Sequence, residues 1–143
     1  MYFSLGGHPA FKCPLYSDEN YEDYFLEFEH VENSVRHLIN MEIGLISSST
    51  NPVFNHSNKI SLTHDLFNED ALVFKDLKSR KVTLKSGTYG AILSLHFKEF
   101  PYFGIWAKPN GNYVCLEPWL GIADPENTNQ DLKTKEGIIS LKP

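Results

Sequence analysis

The feature that most constrains this chain is the spacing of its short apolar runs. Residues 2–5, 24–31, 35–39, 43–46, 59–63, 71–74, 81–85, 91–97, 104–107, 113–116 and 138–141 are each strand-like, alternating or continuously apolar. Polar or Gly/Pro-containing turns separate them at intervals of about 8–12 residues, which predicts about eight to ten short strands. Helical periodicity is almost absent, with one helical turn expected over 65–70. Loops are expected over 17–23, 47–52 and 124–127. Such a pattern predicts an all-β chain, an antiparallel β-sandwich or barrel. In the run 24–31, Phe25 or Leu26 with Phe28 and Val31 are the core candidates, and Glu27 and Glu29 share a wet face.

Composition narrows the function. The 143 residues suit one domain with a real core, and 13% aromatic content favours strands and aromatic-lined pockets. A net charge of −5 without a basic stripe argues against nucleic acid and anionic membranes as partners. No apolar run is long enough to span a bilayer, and the opening residues lack a secretory signal. Cys13 and Cys115 are too few for a disulfide framework. A single bridge stays open, but two reduced thiols in a cytoplasmic protein is the preferred reading. The first residues already read as a strand, and the last as a strand stopping at a turn, so a fragment of a larger fold is expected.

Two stretches stand out chemically. In Tyr113-Val114-Cys115-Leu116-Glu117-Pro118-Trp119-Leu120-Gly121, an apolar run ends in a carboxylate just before a proline and a tryptophan. Glu117 reads either as a solvated acid at a strand end or as a catalytic or binding acid fixed by the strand. In Gly6-Gly7-His8-Pro9, the glycines and the proline specify the backbone around the imidazole. His8 is either a structural histidine or half of an acid–base pair with Glu117. Trp106 and Trp119 can pack in the core or face the apolar side of a sugar ring. Asp70 and Asp124 are surface acids or acceptors for sugar hydroxyls. The six histidines are scattered, and none pairs with a cysteine or another histidine at metal-ligand spacing, so no metal site is expected. Phosphate loop, dinucleotide fingerprint and nucleophile elbow are all absent.

The segments Phe3–Phe11 and Cys115–Asp124, in this order and combination, resemble the aldose 1-epimerase (galactose mutarotase) family, closest to its LacX-like branch. Asp70-Ala71-Leu72-Val73-Phe74 lies between them in the matching place, and the resemblance runs over nearly the whole chain. It implies a partial galactose mutarotase-like supersandwich, with residues 1–143 a single partial domain from the C-terminal portion of a longer member. It implies interconversion of the α and β anomers of a hexose, with Glu117 as base, His8 as acid, Asp70 (more weakly matched), Trp119 and Trp106 toward the sugar, and no cofactor. A complete member carries an upstream stretch of comparable size, with a second active-site histidine and often an arginine, and continues past residues 141–143. This stretch alone is therefore expected to be inactive or weak, with exposed sheet edges that invite self-association. The alternative is a non-catalytic carbohydrate-binding or regulatory module on the same fold. If the sugar is a hexose phosphate, Arg36, Arg80 and Lys108 are the cations available for it.

Overall fold

A computed structural model describes residues 1–142. Twelve strands follow one another: β1 Tyr2–Phe3, β2 Ala10–Lys12, β3 Tyr24–Glu32, β4 Val35–Asn40, β5 Leu45–Pro52, β6 Ser57–Ser61, β7 Leu72–Phe74, β8 Lys81–Ser86, β9 Gly90–His96, β10 Tyr102–Trp106, β11 Tyr113–Trp119 and β12 Ile139–Ser140. The only helical elements among the described residues are two 3-10 turns, Tyr21–Asp23 and Leu132–Thr134. The antiparallel sandwich expected from the sequence is what forms. A six-stranded sheet ordered β2-β11-β10-β7-β4-β5 packs on a four-stranded sheet ordered β6-β3-β8-β9, and β1 pairs with β12.

Side-chain alternation assigns the two faces of the larger sheet. Leu72 pairs with Ile105 and Ile105 with Leu116, while Phe74 pairs with Phe103. These side chains point inward and join Tyr24, Leu26, Phe28, Ile60, Val82 and Leu84 of the smaller sheet in the main core. Their neighbours along each strand must then point outward. Val73, Gly104 and Glu117 make one cross-strand row, and Cys115 with Trp106 another. A second apolar cluster lies on this outer face: Ala71, Val73, Ile46 and Ile122, with Ile39, Tyr102, Trp106 and Trp119 packed against it. One sheet thus has a sealed inner face and an outer face that presents Cys115 and Glu117 beside an apolar cluster.

Several local expectations are corrected. The polar stretch 47–52 belongs to β5, because Val35, Arg36 and His37 pair with Pro52, Asn51 and Thr50. Long-range ladder bonds here override loop-like composition. Strand β11 does not stop before Glu117 but runs on to Trp119, because Phe103 and Tyr102 continue the pairing opposite Pro118 and Trp119. Residues 65–70 form successive tight turns instead of a helix, with Leu66, Asn68 and Asp70 N–H groups bonded to the carbonyls of Thr63, Asp65 and Phe67.

In β3, Leu26 is the buried member and Phe25 is half-exposed, while Val31 is 54% exposed. The pairing with β6 shifts register between Glu27 and Glu32. Alternation turns Val31 outward and Glu32, which has the same parity as Leu26 and Phe28, inward. Its two carboxylate oxygens accept the backbone N–H groups of Lys78 (3.1 Å) and Ser79 (2.7 Å). Glu19 is likewise buried and accepts the Tyr24 and Ser86 hydroxyls. Both acids hold the scaffold and lie outside the chemistry. Glu32→Ala should cost about 2 kcal/mol, since it strands two amides. Urea unfolding of the variant measures this, and an unchanged midpoint would contradict it.

Candidate active site

The outer face places Glu117 by strand geometry alone. Its row partner Gly104 has no side chain, and Trp119, two residues on, folds its six-membered ring into the space this leaves. A Cβ at Gly104 would collide with that ring, and one at Gly6 would sit 2.5 Å from the ring's other end. Trp119 is therefore held in a slot between two glycines. This is why the residues flanking Glu117 read so strongly in sequence.

His8 arrives from the far end of the chain. Ala10 pairs with Cys115, and hydrogen bonding continues upstream of β2: Leu116 N donates to Pro9 O (3.2 Å), Gly7 N to Pro118 O (2.9 Å) and Leu120 N to Leu5 O (2.8 Å). The Gly6-Gly7-His8-Pro9 turn is thus fastened along the edge of β11, with His8 beside Glu117. Its Nδ1 lies 3.2 Å from Glu117 Oε2, with side-chain exposures of 61% for His8 and 5% for Glu117. Trp106 meets the imidazole edge to face, with ring centres 6.2 Å apart.

The electrostatics follow from this burial. Desolvation pushes the Glu117 carboxyl above the usual carboxylate range, while His8 and the Trp119 indole N–H pull it back in part. The result is a carboxylate that is a stronger base than an exposed one and touches a solvent-facing imidazole. Cys115 also lies here, with its sulfur and the His8 and Glu117 donor atoms all within 4.8 Å of one another. Burial pushes its thiol up to about 11, with the Glu117 charge adding to the effect, so it is a neutral thiol and a poor nucleophile. Both cysteines are buried and free.

A raised carboxyl pKa also sets a stability trend. A carboxyl whose folded pKa exceeds its unfolded one stabilises the fold fully below the unfolded value. That contribution is lost as pH rises through the folded value. The melting temperature of Glu117→Gln minus that of the parent chain should therefore rise between acid (~pH 4) and neutral (~pH 7) solution. A difference that stays flat or falls would contradict the burial argument.

The other sequence candidates separate. Trp106 and Trp119 are both half-buried on the outer face around the pair. Asp70 precedes β7 at the end of the sheet where Trp106 lies, with a left-handed backbone (φ 67°), and its carboxylate accepts the Ala71 N–H at 2.7 Å. It makes no hydrogen bond or ion pair with His8 or Glu117 among the described residues. Asp124 is held by Lys135 at 2.7 Å. Arg36 is paired with Glu69, and Arg80 donates to the carbonyls of Leu77 and Ser79. An apolar cleft of about 400 Å³ opens beside Trp119, lined by Leu5, Gly6, Ile39, Ile46, Val73 and Ile122 among others. It shares Trp119 with the pair's surroundings but does not contain the pair. Cys115 and Gly104 are the site residues that sequence reasoning missed. For Cys115 the signal was present, since a residue two before Glu117 on a strand shares its face.

Comparison with known proteins bears on the fold. No family model matches the chain. The plasmid and chromosomal LacX proteins of Lactococcus lactis subsp. lactis are 35% identical over 145 residues, an alignment covering 100% of this chain and 48% of theirs. A galactose mutarotase-related enzyme from Lactobacillus acidophilus superposes with a TM-score of 0.88 at 34% identity, over 100% of this chain and 48% of that one. A galactose mutarotase-like protein from Lactobacillus casei ATCC 334 gives 0.81 at 28% identity, over 99% and 49%. The chain therefore spans about half the length of the proteins it matches.

Proposed function

We propose, for a chain with the galactose mutarotase-like fold and LacX relatives, that it carries the acid–base pair of an aldose 1-epimerase. The reaction interconverts the α and β anomers of a hexose. The observation that carries this reading is the contact between buried Glu117 and exposed His8 at 3.2 Å.

Mutarotation needs a proton removed from the anomeric hydroxyl and a proton given to the ring oxygen. These two oxygens share one carbon, C1, so the base and the acid must stand close together. Glu117 takes the hydroxyl proton, and protonated His8 supplies one to the ring oxygen as the C1–ring-oxygen bond breaks. The open chain then rotates about C1–C2. On closure the ring hydroxyl returns its proton to His8, the carbonyl oxygen recovers one from Glu117, and both groups are restored. Only protons move, so no cofactor is called for.

In this reading Trp106 and Trp119 offer aromatic faces to the C–H side of the ring, and Asp70 accepts from a sugar hydroxyl. Residues 1–142 then form one partial domain of a larger sandwich, and the chain alone turns over weakly or not at all, since an incomplete pocket loses preorganisation. Polarimetry on the isolated chain tests this directly. A rate comparable to that of a whole mutarotase would overturn the expectation of weak activity while strengthening the assignment of the pair.

A second reading, sugar binding without turnover, is favoured by the exposure of His8, which leaves the acid of the pair open to water. Heat of hexose binding with no acceleration of optical-rotation decay, in a polypeptide of the relatives' full length, would select it over catalysis.

A further inference from the structure

Three side chains of different chemistry meet on the outer face: the His8 imidazole, the Cys115 thiol and the Glu117 carboxylate. We infer that they form a binding site for a thiophilic divalent cation of the zinc class, with His8, Cys115 and Glu117 as its three protein ligands. Cys115 and Glu117 alternate on β11 and so project from the same face, and His8 is delivered by the hydrogen-bonded edge segment.

Tetrahedral bonds of about 2.0–2.3 Å to nitrogen, oxygen and sulfur place the donors about 3.5 Å apart. The His8–Glu117 separation of 3.2 Å is already at that value, and all three donors lie within 4.8 Å of one another. Small side-chain rotations close the remainder. The donor set, one nitrogen, one sulfur and one oxygen, suits zinc and excludes magnesium and calcium, which take oxygen ligands. Cys115 and Glu117 are buried, so they are held in place, and exposed His8 provides the entry side. Three protein ligands leave a fourth position for water. Binding forms a metal–sulfur bond as Cys115 releases its proton to solvent, with no change of oxidation state. The sequence hides the site because its ligands come from opposite ends of the chain.

The binding claim stands apart from the proposed mutarotation. The functional consequence rests on that reading: a bound cation would occupy both the base and the acid, so zinc would act as a reversible block. The two are tested separately. Titration of the 143-residue chain with cobalt(II), as a spectroscopic substitute for zinc, should give one equivalent of binding. A thiolate-to-cobalt charge-transfer band and intense visible bands of four-coordinate cobalt should accompany it. Cys115→Ser should abolish the charge-transfer band, and His8→Asn and Glu117→Gln should each weaken binding by about 100-fold, at the upper end of the loss seen when a mere supporting partner of a ligand is removed.

Circular dichroism establishes that each variant is folded. If Cys115→Ser fails that check, the exposed His8 position decides the question. Absence of the charge-transfer band in the folded parent chain overturns the site. So does a band that His8→Asn and Glu117→Gln leave unchanged, because the cation would then sit elsewhere. Failure of mutarotation in a polypeptide of the relatives' full length, with cobalt binding intact, would remove the enzymatic reading alone. Mutarotation that chelators leave unaffected, with no cobalt binding, would remove the cation site alone.

Discussion

Replacing Glu117 with glutamine is expected to slow anomer interconversion by about 10²-fold or more, the usual cost of losing a positioned general base. The measurement is optical-rotation decay of galactose and glucose in the longest native polypeptide that contains this chain. The amide keeps the size of the side chain and its contact with Trp119, so the loss reads out proton transfer and leaves packing in place. The buried position sharpens the expectation. Water, which could otherwise substitute as a base, has little access to a side chain that is only 5% exposed. The acid limb of the pH–rate profile should lie above the ordinary carboxylate range, because burial raises this group and the base works only when ionised. Near-normal rates in the variant would remove Glu117 from the mechanism.

The second large effect is structural and acts on the same site. Gly104→Val should destabilise the fold by about 3 kcal/mol, the upper end of the usual overpacking cost. No rotamer of valine escapes the difficulty, because the Cβ itself collides with the Trp119 ring. The indole must leave its slot, and the surface it buries against Gly6 and Gly104 is lost with it. Denaturant unfolding should show the drop, with a matching change in tryptophan fluorescence. A variant of parent stability with an unmoved emission spectrum would mean that the slot is not what holds Trp119. Gly104→Ala meets the same collision with one atom and should fall between the two.

The sheet architecture was legible because short, turn-bounded apolar runs have few other solutions. The β11 run and its cross-strand partner β10 could be read directly, and so could the glycine-proline turn that carries His8. The polar strand β5 could not be read, because Ser47-Ser48-Ser49-Thr50-Asn51-Pro52 has the composition of a loop and becomes a strand only through pairing with β4. Val31 failed for a different reason. Alternation from the buried Leu26 and Phe28 points it outward and Glu32 inward, so grouping it with Phe28 set a three-residue spacing on a two-residue period, and apolar character alone misled. Within the site, the sequence supplied the residue types of the pair, whereas their 3.2 Å contact depends on a pairing between opposite ends of the chain. Asp70 rests on a shorter and weaker match, and its carboxylate accepts the N–H of its own neighbour Ala71.

The fastening of the His8 segment has a kinetic side. Histidine and glutamate are joined through the outermost ladder of the six-stranded sheet, three backbone bonds beyond the last β2 pair. Peripheral ladders open far more often than central ones, through excursions much smaller than global unfolding. The lifetime of the assembled pair is then the lifetime of that rim. The amide hydrogens of Gly7, Leu116 and Leu120 are its natural clock, and their exchange with deuterated solvent would report how often the imidazole swings away from the carboxylate.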